Sequence, residues 1–199
     1  MPADCRGKLI RMRRATLMLF VCLAACSQSS STVDPTTPTT TAPTPTTAQV
    51  PKLTCHGSQA SVPQDFTVYF DAVALPTSPK YPTALQTSAQ NDEPATRLFA
   101  KTGLWYRADR QFDILVPDTL KGQLAVGWGG GPATPGSGVT STPCPGAQHD
   151  WVVLPGGYWL SHTMCATLVV RVHDKQQEAH IGLGEPCQGQ APPAGPSDK

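Results

Sequence analysis

No apolar run in this chain is long enough to cross a bilayer as a helix: Leu17-Met-Leu-Phe-Val-Cys-Leu-Ala-Ala25 falls well short of the roughly 20 residues a span requires. Charge is also sparse. Asp, Glu, Lys and Arg make up 15% of the 199 residues, which excludes a charge-laced coiled coil and leaves no basic stripe for nucleic acid. No segment of ten or more residues free of Gly and Pro carries an apolar stripe at helical spacing, so helices are limited to short turns. Zinc is disfavoured because no Cys-x-x-Cys pair occurs. His56, His149, His162, His173 and His180 are scattered, without a metal-ligand spacing to a carboxylate or to one another. Gly136-Ser137-Gly138 lacks the spacing of a nucleophile elbow, and no Gly-x-Gly-x-x-Gly joins a strand to a helix. The sequence therefore assigns no catalytic residue, no metal and no cofactor.

What is abundant is proline, with 21 residues, and glycine, with 17, a loop-rich composition suited to an extracytoplasmic protein. Of 15 basic and 14 acidic residues, Arg6, Lys8, Arg11, Arg13, Arg14 and Asp4 precede residue 26, so the remainder holds 10 basic and 13 acidic groups. The basic prefix followed by the short apolar run reads as a signal peptide over residues 1–25; Met12-Arg13-Arg14 would itself make a compact start. Leu23-Ala24-Ala25-Cys26 resembles the lipobox of bacterial lipoproteins. That resemblance implies cleavage between Ala25 and Cys26, lipidation of the Cys26 thiol (including a palmitate-type acyl chain), and attachment to the extracytoplasmic face of the cell membrane. The competing reading is an ordinary secreted protein with a chance cysteine at the cut. Two or more acyl chains hold a protein on a bilayer where one holds it marginally.

Residues 27–52 are dominated by Thr, Ser and Pro and offer almost nothing to bury, so residues 26–52 are expected to form a lipidated, disordered tether, extended by its prolines and open to O-glycosylation. Residues 53–187 make one domain of ordinary size, and 188–199 read as a disordered tail. With Cys5 and Cys22 in the signal and Cys26 spent on lipid, Cys55, Cys144, Cys165 and Cys187 remain. Four cysteines outside the cytoplasm suggest two disulfides. Near-equal spacings leave the choice open between Cys144–Cys165 with Cys55–Cys187 and Cys165–Cys187 with Cys55–Cys144.

Period-two alternation marks strands at 66–74, 98–107, 112–116, 124–128, 151–154, 158–160, 165–172 and 178–183. This predicts an all-β fold, a two-sheet Ig-like β-sandwich of about eight short strands. Leu168, Val170 and Val172 should meet Ala179, Ile181 and Leu183 across a turn near Asp174-Lys175, leaving Arg171 to pair outside with Glu178 or His180. Gly103-Leu-Trp-Tyr-Arg107, Trp151-Val-Val-Leu-Pro-Gly-Gly-Tyr-Trp159 and Ile181-Gly-Leu-Gly-Glu-Pro-Cys187 resemble a β-rich domain of actinobacterial lipoproteins of unassigned function. That resemblance spans about the last hundred residues and carries no catalytic residues.

The remaining signal is aromatic. Trp105-Tyr106, Trp128, Trp151 and Tyr158-Trp159 hold all four tryptophans, and adjacent strand residues face opposite sides, so one of each pair tends to leave the core. Trp128, Trp151 and Trp159, at the edge of a long Gly/Pro-rich loop from Gly129 to Asp150, are candidate ligand contacts. Two function classes follow: a non-catalytic module that binds an envelope glycan or protein partner or assists envelope assembly, and an extracytoplasmic hydrolase whose residues converge only in space. A polar pocket containing His149, Asp150 or Asp113 would favour the second, an open aromatic ridge the first.

Overall fold

The computed structural model describes residues 50–90, 97–129, 133–146 and 151–195, all within one compact unit. Cys26 with its lipobox, the tether as far as residue 49, and His149 and Asp150 lie outside the described residues. Thirteen strands follow in chain order. They begin with β1 Ser58–Gln59, β2 Thr67–Tyr69, β3 Val73–Leu75, β4 Ser88–Gln90, β5 Arg97–Lys101, β6 Leu104–Arg107 and β7 Phe112–Leu115. β8 Leu124–Trp128, β9 Gly138–Ser141, β10 Trp151–Leu154, β11 Gly156–Leu160, β12 Met164–Val172 and β13 Lys175–Leu183 complete them. The one helical element among the described residues is a three-residue 3-10 turn, Asp118–Leu120.

The fold is an all-β, disulfide-stabilised sandwich, and among the described residues its thirteen short strands form three antiparallel sheets: β1-β10-β6-β3-β2, β4-β5-β11-β8 and β13-β12-β7-β9. One core joins all three, with Leu104, Tyr106 and Leu154 from the first, Val126, Tyr158 and Leu160 from the second, and Ile114, Leu168 and Ile181 from the third. Each large apolar side chain fully buried there contributes about 1.5–3 kcal/mol.

Residues 98–107, expected as one strand, are two, because the chain bends at Thr102-Gly103 and passes from the second sheet to the first. β10 and β11 bend at Pro155 and make the same passage in reverse. The two bent strands run antiparallel along their whole length: Leu154 faces Leu104, Gly157 faces Lys101, and the Thr102 N–H donates to the Gly156 carbonyl at the corner. Such sheet-switching bends are how corners are turned in sandwiches. Residues 66–74 are likewise broken, into β2 and β3, because Phe70 and Asp71 take φ of 51° and 52° and the Ala72 N–H closes a tight turn on the Tyr69 carbonyl.

In the β12–β13 hairpin the six residues expected to face inward are all buried, but only Leu168 meets its expected partner Ala179, since the register sets Ile181 opposite Ala166 and Leu183 opposite Met164. Its turn is His173-Asp174, since Val172 pairs with Lys175. Arg171 corrects its expected partner: it binds Asp113 of β7 at 2.8 Å and faces Gln176 across the hairpin. The disulfides are Cys55–Cys144 and Cys165–Cys187, one of the two pairings left open by spacing. The domain also extends beyond its expected limits. Lys52 pairs with Thr140, and Ala191 pairs with Thr83, while the Gln190 amide donates to the carbonyls of Tyr81 and Thr83, so 188–195 pack as part of the body.

Candidate functional site: the outer face of the second sheet

Alternation along β5 turns Ala100 into the core and Arg97, Phe99 and Lys101 to the opposite side, where Ala100 is fully buried, Lys101 exposed and the other two half-buried. Register then places Trp159 of β11 directly across from Phe99, with ring centroids 4.7 Å apart and planes tilted by 45°. Glycine is what lets these rings lie against the sheet. A Cβ on Gly157 would stand 3.0 Å from the Phe99 ring and 2.1 Å from the Ala100 carbonyl oxygen, and one on Gly127 would stand 3.3 Å from the Trp159 ring and 2.7 Å from the Thr134 carbonyl oxygen. Each aromatic therefore covers a position with no side chain, the arrangement in which a ring shields an otherwise bare stretch of strand.

The pair forms a low ridge between two grooves. On the Phe99 side a groove of about 540 Å³ is lined by Lys101, Tyr81, Thr83, Gln86 and Ser88, among others. On the Trp159 side a smaller one of about 290 Å³ is lined by Arg97, Lys121, Gln123 and Val116, among others. Among the described residues, no carboxylate lines either groove. Burial, reinforced by the charge of Asp65, pushes the Tyr81 phenol above its ordinary value, so it stays a neutral hydroxyl. Lys121 bonds Asp118 at 2.7 Å in an exposed pair, a contact that solvent makes cheap to break.

The three tryptophans expected at a common surface are placed separately. Trp159 is on the ridge. Trp151 is half-buried on β10 in the first sheet, opposite Arg107. Trp128 corrects the expectation: it is 5% exposed, packs edge-on against Tyr158 at 5.3 Å, and donates its indole N–H to the Thr102 carbonyl at 3.1 Å. It fills the corner where the bent strands change sheets. The segment between Gly129 and Asp150 contains β9, so it is partly sheet and not one long loop. Phe99, Arg97 and Lys101 escaped sequence reasoning, although their alternation with Leu98 and Ala100, an aromatic between two cations on the side away from the core, was a signal present in the chain.

A third groove, of about 490 Å³, is lined by Ser78, Pro79, His180 and the Cys165–Cys187 bridge, among others. Here Thr167 Oγ1 lies 3.0 Å from His180 Nδ1, and Glu178 Oε2 lies 3.8 Å from His180 Nε2. The set superficially resembles a nucleophile, base and orienting acid. His180 and Glu178 are, however, 50% and 68% exposed, so water solvates both and the pairing carries little energy. Asp113 is held by Arg171 and lines none of the three grooves. Among the described residues, no cluster of three His, Cys, Asp or Glu could hold a metal, and no helix is long and apolar enough to cross a membrane. Compared with known proteins, the chain matches no family model, no curated protein and no solved structure.

Proposed function

We propose that this chain is an extracytoplasmic lipoprotein, held on the cell membrane through lipid on Cys26, whose β-domain is a non-catalytic module binding an envelope glycan. The observation that supports binding is the Phe99–Trp159 pair, two large aromatics kept on the outer side of a sheet whose core is already filled from the opposite side. Flat aromatic faces bordered by polar grooves suit sugar rings, which offer C–H groups to the ring and hydroxyls to the amides and hydroxyls beside it. Gln86, Ser88 and Gln123 supply such groups. The basic prefix, short apolar run and Leu23-Ala24-Ala25-Cys26 support the anchoring.

Two measurements test these halves separately. Titrating the full-length protein with muropeptides or soluble cell-wall polysaccharide should raise its melting temperature, as any ligand selective for the folded state does. Trp159→Ala should weaken that binding by about 1–3 kcal/mol, the range of an interface anchor. Unchanged melting with every glycan, or an unchanged response in the Trp159 variant, overturns binding by this face. Cys26→Ala should move the protein from the membrane fraction to the medium or leave it uncleaved; unaltered detergent partitioning overturns the anchor.

A further inference from the structure

We infer that the ligand of this face is an acidic polysaccharide, with sugar rings over Phe99 and Trp159 and its carboxylate or phosphate groups on Arg97, Lys101 and Lys121; the inference rests on the glycan-binding reading above. Charge distribution carries it. Beyond residue 25 the chain holds more acidic than basic groups, and the arginines on or beside the other sheets are matched: Arg107 and Arg110 to Asp71 and Asp109, Arg171 to Asp113. On the ridge the balance inverts. Three cations border the two aromatics, Lys121 together with its exposed partner Asp118, and among the described residues no carboxylate lines either groove and no acidic group lies within ion-pair distance of Arg97 or Lys101.

The placement of the cations fits a polymer better than a single anion. Lys101 stands in the groove beside Phe99, and Arg97 and Lys121 in the groove beside Trp159, so positive charge lies on both sides of the ridge. A strand crossing it would stack a ring at the centre and place an acidic group to either side. Arg97 is half-buried, and a guanidinium grips carboxylate or phosphate through two parallel hydrogen bonds, whereas the exposed lysines act as point charges. The same cations would repel a basic peptide, and a neutral glycan would leave them unused.

Three polymers and two kinds of variant decide the matter, with the full-length protein titrated calorimetrically against polygalacturonate, its fully methyl-esterified neutral form, and a phosphate-bearing mannan. At least one of the two anionic polymers should bind on the order of tenfold or more tighter than the neutral ester, the effect of losing one good charged contact. The double variant Arg97→Gln with Lys121→Gln should erase that advantage while leaving circular dichroism and melting unchanged. Trp159→Ala should weaken binding of every polymer that binds. Equal affinity for the ester and polygalacturonate, unmoved by the charge variants, overturns the acidic preference and leaves glycan binding standing. Failure of all three polymers overturns both. Binding of poly-L-glutamate as tight as that of the best polysaccharide, insensitive to Trp159→Ala, would show a charge patch without sugar recognition and would also overturn the inference.

Discussion

Tyr158 is wholly buried between Trp128 and the strands of the second sheet, and among the described residues no polar atom reaches its hydroxyl. A buried hydroxyl without a partner costs about 1–3 kcal/mol of desolvation. Tyr158→Phe keeps the ring and removes the cost, so it should raise unfolding free energy by about 1 kcal/mol, read as a higher urea midpoint with unchanged slope. The same burial pushes the Tyr158 phenol far above its ordinary value of 10.0, with Tyr69 adding to the shift. Burial also raises Tyr106, and raises Tyr69 despite its bond to Thr77. Above pH 10 the unfolded chain releases these protons and the folded one keeps them, so stability is intact below that pH and declines as pH rises beyond it. Tyr158→Phe should make that decline shallower, and an identical alkaline profile would contradict the assignment.

At the scale of elements, the corner between the first and second sheets depends on Trp128, whose indole both packs on Tyr158 and donates to Thr102 at the bend. Trp128→Ala should cost about 3–5 kcal/mol, and Trp128→Phe should recover much of it, short by roughly the 1 kcal/mol of one hydrogen bond. Neither should show the selective loss of glycan affinity expected at Trp159. The elements differ in how legible they were. The β12–β13 hairpin could be read because alternation runs through all nine residues of β12 and through Ala179, Ile181 and Leu183 in the second half of β13. β8 and β10 were found to the residue, since turn formers bound them. Alternation is blind to backbone sign, so it ran through Phe70 and Asp71, whose positive φ folds the chain back. It also read through Thr102-Gly103, because a strand that changes sheets keeps its periodicity. β1, β4 and β9 are two to four residues long, polar or glycine-bearing, and are strands only because the neighbours β10, β5 and β7 supply their hydrogen bonds. Trp159 was visible as an aromatic next to a core tyrosine. Its partner was not, since only register brings Phe99 across from it.

For the whole molecule, the bridges matter most where they close the longest stretch of chain. Cys55–Cys144 spans 89 residues and Cys165–Cys187 spans 22, and in the chain-entropy account the first constrains the unfolded state more, by about 4–5 kcal/mol against about 3. Pairwise replacement of Cys55 and Cys144 by Ser should therefore lower the melting temperature more than replacement of Cys165 and Cys187, and the reverse order would indicate that native packing around the shorter loop dominates. The first bridge has a mechanical consequence as well. If the chain is moored through its N-terminus while Trp159 grips a wall polymer, tension passes from the tether to Cys55, across the sulfurs to Cys144, and on through β10 and β11 to the ligand. Everything from β1 to β9 lies inside a covalently closed ring, so load taken at Trp159 bypasses it in series, whereas load taken at Arg97, Phe99, Lys101 or Lys121 enters the ring. For the share of load carried at Trp159 the stretch in series is short, and β10 within it is flanked by strands on both sides, so that share of any shear between cell membrane and wall would pass the ring by.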